Sequence, residues 1–267
     1  MNNHFKHLRT LALAIFAMGL FASCSDDDDV SINDTLSVQL ASTSDLGSIL
    51  VNQNNQTLYF FGGDVNGESN CNGGCADKWP PMLGDAADLV IASDLNAAGF
   101  TTITRADGQK QIAYKGWPLY YFSPEGDGQL EAAGSTSGEG LGNSFFVAKT
   151  DYTVMLAKQV ITEGEDAVFY LVDDRGLTLY GFANDEDGVS NCSGGCANAW
   201  PIFPGQDNVV VPSVLNETAF SSIDRTDDLG SQMTYGGKPL YYFVQDEEIR
   251  GNVTGHSETF YVISPAL

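Results

Sequence analysis

Apolar and polar positions alternate along short stretches of this chain, and the alternation predicts strands. Leu36-Ser-Val38-Gln-Leu40 keeps a period of two, the spacing that puts side chains on one face of a sheet. Ser48-Ile49-Leu50-Val51 passes through polar residues 52–56 into Thr57-Leu58-Tyr59-Phe60-Phe61, which reads as two strands and a turn. Gln111-Ile112-Ala113-Tyr114 meets Lys115-Gly116 and resumes as Trp117-Pro118-Leu119-Tyr120-Tyr121-Phe122, a second hairpin. Aromatic strands follow at Phe145-Phe146-Val147 and Phe260-Tyr261-Val262. β-Branched and aromatic residues dominate these runs, and 29 glycines suit a turn-rich β architecture. Helical signals are short, at residues 75–79 and around 94–98.

The pattern is written twice. Cys71-Asn-Gly-Gly-Cys75-Ala-Asp-Lys-Trp79-Pro80 returns as Cys192-Ser-Gly-Gly-Cys196-Ala-Asn-Ala-Trp200-Pro201, a shift of 121 residues. Pro118-Leu119-Tyr120-Tyr121-Phe122 returns as Pro239-Leu240-Tyr241-Tyr242-Phe243, with Gly236-Gly237 as its preceding two-residue turn. A period this long means two copies of one unit. Within each copy a fainter echo, Tyr59 to Tyr120 and Tyr180 to Tyr241, has a spacing of 61. The expected fold is mainly β: two tandem antiparallel β domains, residues 35–149 and 150–267, each a small sandwich or open barrel made of two similar hairpin units. A single propeller of four units is the rival. The segment joining the copies carries its own strand at residues 154–157, which brings the domains close.

A Tyr-x-aromatic-x-x-Asp pattern runs through the repeats: Tyr59-x-Phe61-x-x-Asp64, Tyr180-x-Phe182-x-x-Asp185 and Tyr241-x-Phe243-x-x-Asp246. The fourth instance, Tyr120-x-Phe122-x-x-Glu125, departs, with Asp127 nearby. With the Cys-x-x-x-Cys-Ala-x-x-Trp-Pro segment, the chain resembles a bacterial secreted-repeat family of predicted lipoproteins bearing this motif. The resemblance covers nearly all of the chain after residue 34. It implies export and frequent lipid anchoring, and it implies no established biochemical activity.

The N-terminus reads as an address. His4, Lys6, His7 and Arg9 precede an apolar stretch at residues 11–20 that is too short to span a bilayer. Phe21-Ala22-Ser23-Cys24 resembles a bacterial lipobox, so residues 1–23 form a signal peptide and Cys24 becomes a lipidated first residue, a membrane anchor. An ordinary secretory signal with a chance cysteine is the alternative. Ser25-Asp26-Asp27-Asp28-Asp29 opens an acidic linker over residues 24–34. That run resembles the signal that sends lipoproteins to the outer face of the outer membrane in Bacteroidota-type bacteria; a plain solvated tail is the bland reading. Asp34-Thr35-Leu36 looks like a bacterial O-glycosylation site. The 12 Lys+Arg stand against 35 Asp+Glu. Such a surface repels phosphate backbones, which removes nucleic acid as a partner.

Candidate chemistry is sparse. Cys71/Cys75 and Cys192/Cys196 are one pair per copy, and in an exported protein the default is a disulfide within each pair. A redox dithiol or a soft-metal site is the sharper reading. Lys78 is the basic residue beside the first pair, and Ala199 replaces it in the second. Asp64, Asn66 and Ser69 recur as Asp185, Asp187 and Ser190. These hard oxygens spaced around a glycine are part of what a calcium loop needs, while a hydrated Asx turn is the blander and favoured reading. Trp79 and Trp200 either pack over the disulfides or form an exposed platform for a ligand ring. Arg105-x-Asp107 and Arg225-x-Asp227 recur, and a buried arginine bridging to Asp64 is the consequential version of that pair. No histidine occurs in both copies, so Ser-His or Cys-His catalysis has no repeated base. The expectation is a surface-exposed outer-membrane lipoprotein acting as a non-enzymatic binding or envelope module, with calcium its one cofactor candidate and an unidentified envelope or extracellular ligand. The alternative is an envelope redox or metal-handling protein using the cysteine pairs.

Overall fold

A computed structural model describes residues 35–267. The expected signal peptide, the lipidated Cys24 and the acidic linker lie outside the described residues. The first copy contains β1 (Ser37–Thr43), β2 (Gly47–Asn52), β3 (Tyr59–Phe61), a short helix α1 (Gly74–Lys78), β4 (Val90–Ile91), β5 (Phe100–Thr104), β6 (Lys110–Tyr114), β7 (Trp117–Pro118) and β8 (Phe145–Val147). The second runs β9 (Val154–Gln159), β10 (Val168–Asp173), β11 (Tyr180–Phe182), α2 (Gly195–Ala199), β12 (Phe220–Asp224), β13 (Ser231–Tyr235), β14 (Lys238–Pro239) and β15 (Phe260–Val262).

The repeat holds at the level of register. β1 and β2 form an antiparallel hairpin, as do β9 and β10. β3 pairs with β8 so that Tyr59 faces Val147, and β11 pairs with β15 so that Tyr180 faces Val262. The sheets β5-β6-β7 and β12-β13-β14 match strand for strand. Their last hairpins turn through Lys115-Gly116 and Gly236-Gly237, all four at positive φ, the conformation a two-residue hairpin loop demands.

The chain is mainly β, in sheets of two or three strands, and the described residues form no closed barrel. Pairing is antiparallel except where β4 joins β1 in parallel. Two expectations from the pattern change. The run 117–122 is a strand only at Trp117–Pro118, because Tyr120 leaves that sheet to bridge Tyr59 and Pro81. The helix expected near 94–98 is a single 3₁₀ turn, Ala97–Gly99, capped by Asn96 accepting from the Ala98 amide at 3.1 Å. The helix expected at 75–79 stands as α1, shifted by one residue.

Both copies contribute to one hydrophobic core. Val38, Leu50, Leu58 and Phe60 pack in the same cluster as Leu156, Tyr170, Leu179 and Leu240. Isolated two-stranded ribbons are marginal in water, so these small sheets are stable only as parts of the shared interior. Polar contacts fix the join. Lys115 Nζ meets Asp174 at 2.6 Å, and Trp117 Nε1 donates to the Asp174 carbonyl at 2.9 Å. Arg250, from the second copy, lies 4.6 Å over the Trp117 ring and donates to the Lys115 carbonyl at 2.8 Å and to that of Arg175. Gly116 and Gly176, both at positive φ, let the guanidinium approach: a Cβ would come within 2.9 and 3.0 Å of it respectively. Burial pulls the Arg250 pKa down to about 10.

Arg250→Ala should lower the unfolding free energy by about 2 kcal/mol, from the lost cation–π contact and a charge-assisted hydrogen bond. Arg250→Lys should recover only part of it, since lysine lacks the planar fork. Urea denaturation followed by tryptophan fluorescence measures both; an alanine variant with unchanged midpoint refutes the role.

Candidate functional site

The motif tyrosines face each other in pairs. In the second copy the Tyr180 amide donates to the Tyr241 carbonyl at 2.9 Å, and the Tyr241 amide returns the bond at 2.9 Å. In the first copy Tyr59 and Tyr120 do the same, at 2.8 and 3.0 Å. All four rings are fully buried, so each hydroxyl needs a protein partner. The hydroxyls cross over. Tyr241 donates to Asp185, the acid of the Tyr180 motif, at 2.7 Å, while Tyr180 donates to Asp246, the acid of the Tyr241 motif, at 2.6 Å. Tyr120 likewise donates to Asp64 at 2.6 Å. Three of the four motifs therefore supply a tyrosine to their partner's acid, not to their own.

The irregular fourth motif is completed from elsewhere. Tyr59 donates to Glu131, which is buried, whereas Glu125 and Asp127 are exposed. Glu131 also accepts from Ser135 Oγ at 2.9 Å, the Ser137 amide at 2.8 Å and Ser137 Oγ at 2.7 Å. Asp246 is held comparably, by the Thr254 amide at 3.0 Å and the Thr254 hydroxyl at 2.6 Å. Spacing gave no signal for Glu131, because the segment from Phe122 to Gly138 is longer than its counterpart from Phe243 to Gly255.

Around Asp64 and Asp185 a second layer forms. Asp64 accepts the Asn70 amide at 2.7 Å, and Asp185 accepts the Asn191 amide at 2.7 Å. Ser69 lies 2.7 Å from the Tyr120 hydroxyl, and Ser190 lies 2.6 Å from that of Tyr241. Arg105 donates to Ser69, to Gln111 at 2.7 Å and to the Cys71 carbonyl at 3.1 Å. Arg225 repeats this with Ser190, with Gln232 at 2.7 Å and with the Cys192 carbonyl at 2.7 Å. The buried arginine envisaged from the repeated Arg-x-Asp therefore exists, and it reaches Asp64 through Ser69 and Tyr120. These arginines are also the basic groups beside the cysteines, which sequence proximity had assigned to Lys78.

The calcium-loop candidates are occupied by protein partners. Both oxygens of Asp64 and of Asp185 accept hydrogen bonds from tyrosine and asparagine. Ser69 and Ser190 are bonded as above. Asn66 Oδ1 accepts the Glu68 amide at 3.1 Å, an Asx turn, and Asp187 pairs with Lys238 at 3.1 Å. Among the described residues no group of three or more His, Cys, Asp or Glu side chains could hold a metal ion.

Each cysteine pair is a disulfide with a Cα–Cα distance of 5.2 Å. Gly73 and Gly194 enter the short helices at φ 57°, a left-handed entry that glycine adopts without strain. The tryptophans close over the bridges. Trp79 is 5% exposed and stacks on Phe145 at 3.7 Å, and Trp200 stacks on Phe260 at 3.7 Å. Trp79 is thus interior and not a surface platform; Trp200 is half-buried. Phe61, Phe122, Phe182 and Phe243 complete the two aromatic clusters. His256, present in one copy, accepts the Val262 amide on Nδ1 at 3.2 Å.

Burial pushes the Asp64 carboxyl up to about 7, and it raises Asp185 as well. Burial, reinforced by the facing carboxylates, moves the Tyr120 and Tyr241 hydroxyls well above the ordinary phenol range. Because the folded state favours protonated Asp64, its contribution is fully present below the unfolded pKa near 4 and is lost as pH rises through about 7. The melting temperature should therefore fall between about pH 4 and about pH 7. Asp64→Asn, which cannot ionise, should flatten that fall; parallel curves for the two proteins in a thermal scan across this range refute the assignment. Tyr120→Phe should cost about 2 kcal/mol in a denaturant titration, since it strips a donor from a buried carboxylate.

Three segments, residues 40–82, 101–149 and 170–203, match the model of a family described as a secreted repeat of unknown function. No curated protein and no solved structure matches the chain. Beyond the third match, β12 to β15 continue in the register of β5 to β8. By these matched segments, on a scaffold that repeats strand for strand, the chain belongs to the family of secreted repeats of unknown function.

Proposed function

We propose that this chain is a lipid-anchored protein of the outer membrane, facing the exterior, and that its paired repeats act as a rigid, non-enzymatic binding or envelope module. Export is supported by the family, and anchoring by the lipobox-like residues ending at Cys24 and the acidic run behind it. Among the described residues no helix is long and apolar enough to cross a membrane.

The observation that carries the non-enzymatic reading is that the repeated tyrosine hydroxyls, acids and serines of the cluster are hydrogen-bonded to protein partners. Tyr, Asp, Ser and Arg recur in both copies, yet each is bonded to the others. A general acid or base has to reach a substrate proton, and Asp64 and Asp185 are buried with both oxygens engaged. The same bonding supports the absence of calcium from these loops, since a bound cation would have to displace tyrosine and amide donors.

Redox use of the cysteine pairs is the second reading. Its support is the arginine placed against the Cys71 and Cys192 carbonyls in both copies, because a nearby cation favours a thiolate. Against it stands the burial of Cys71 and Cys192, which are 0% exposed.

In protein taken from the cell envelope under alkylating conditions, all four disulfide cysteines should be unmodified until reduced; free thiols there would favour the redox reading. The melting temperature should be unmoved by millimolar calcium or by chelator. Whole cells should lose the protein to added protease, and Cys24→Ala should abolish radiolabelled palmitate incorporation. An internal, unlabelled protein overturns the location.

A further inference from the structure

The copies differ beside α2. There a cleft of about 250 Å³ opens, walled by Leu177, Pro201, Tyr242, Phe243, Val244 and Ile249. Three charged side chains, Arg175, Asp246 and Glu248, also line it. Shifting by 121 residues, the first copy has Asn54 for Arg175, Gln56 for Leu177 and Ser123 for Val244. The backbone differs too. Ser123 is buried and its amide donates to the Lys78 carbonyl at 2.8 Å, so the first copy carries chain over the end of its short helix. In the second copy Val244 is 48% exposed, and the shorter segment turns through Glu247 and Glu248 at φ 53° and 54°.

Two consecutive non-glycine residues in the left-handed region are strained, and such strain gathers at ligand clamps. Val244 and Ile249, both about half exposed, leave apolar surface open to water at the same place. Four features that the first copy lacks therefore coincide: Arg175, the apolar Leu177 and Val244 in the wall, an exposed rim and a strained acidic turn.

We propose that this cleft binds a free α-amino acid with a large apolar side chain. The volume suits one such molecule, and the apolar walls receive its side chain. Arg175 uses Nε and Nη2 on Asp173, each at 3.0 Å, and its remaining donors serve a carboxylate. The Glu248 side chain has no protein partner and serves the ammonium group. Pairing one cation with one anion at the cleft selects a zwitterion over either half-charged analogue. Asp246 stays structural, because its oxygens are committed to Tyr180 and Thr254. This deepens the reading as a binding module and names its ligand class; the thiol, protease and labelling experiments decide that reading separately.

Isothermal titration and amide NMR on the full chain test the proposal, with L-phenylalanine, 3-phenylpropanoate and 2-phenylethylammonium as probes. L-Phenylalanine should bind saturably, at about 1 mM or tighter, and shift the amides of Leu177, Phe243 and Ile249. Each analogue should bind about tenfold more weakly, the loss of one charge-assisted contact. Arg175→Asn, which installs the residue of the first copy, should weaken L-phenylalanine about tenfold. Val244→Trp, which fills the cleft from an exposed position, should abolish binding with the melting temperature unchanged. No saturable shift with L-phenylalanine overturns the proposal, as do equal affinity for an analogue or binding that survives both substitutions. Should one variant not fold, the other together with the analogue series decides.

Discussion

Each repeat is organised around a main-chain bridge between two tyrosines whose hydroxyls are donated to buried acids, in three of the four cases the acid of the facing motif. The bridge buries four rings completely, and a buried phenol without an acceptor costs more than a bonded one returns. The acids are therefore not optional. Once Tyr120 fixes one oxygen of Asp64, the other fixes the Asn70 amide. That amide places Ser69 and Cys71, which arginine then ties to Gln111 on β6. The disulfide that follows is the last element set by this chain of bonds. On this account the bridge is a local clasp, consistent with the small entropy effect of so short a loop. Trp79 then closes the aromatic layer above it.

The same logic explains why two copies fold as one body. The sheets have two or three strands each, too few to stand alone in water. Their apolar faces turn toward an interior shared by both copies and toward a smaller aromatic cluster within each copy. The join is polar where it must be. Arg250 carries a charge into the seam and is accommodated by a tryptophan face and two backbone carbonyls. A strongly acidic surface adds solubility without touching this interior.

Much of this was legible in the sequence. Strands formed at most of their expected places, the aromatic run 119–122 excepted, and the Gly-Gly between cysteines marked a tight turn that only glycine enters easily. Two kinds of feature were not legible. A linear motif joins Tyr59 to Asp64 on paper, whereas the fold joins Tyr120 to Asp64, and period alone cannot tell a residue's own acid from its partner's. Burial was the other. The alternation around Asp64, Asn66 and Ser69 suits a hydrated loop and an interior cluster, and tertiary packing placed Asp64 and Ser69 in the cluster while Asn66 stayed in an exposed Asx turn. Trp79 next to proline was open for the same reason.

The two copies together say what the repeated acids are for. Tyr180 finds Asp246 at the motif position, but Tyr59 finds Glu131, one methylene longer and from a different point in its segment. Both acids meet the same demand, an acceptor for a buried hydroxyl, and each is held in turn by hydroxyl and amide donors from the following loop. An acceptor can be exchanged in this way because a hydrogen bond tolerates a change in the direction of approach. A reacting carboxylate cannot, since alignment with the reacting atom fails over displacements of about 1 Å. That one repeat solves its tyrosine with Asp and the other with Glu therefore marks these positions as architecture. Chemistry specific to one copy has to be sought where the copies diverge in shape and charge, as they do beside α2.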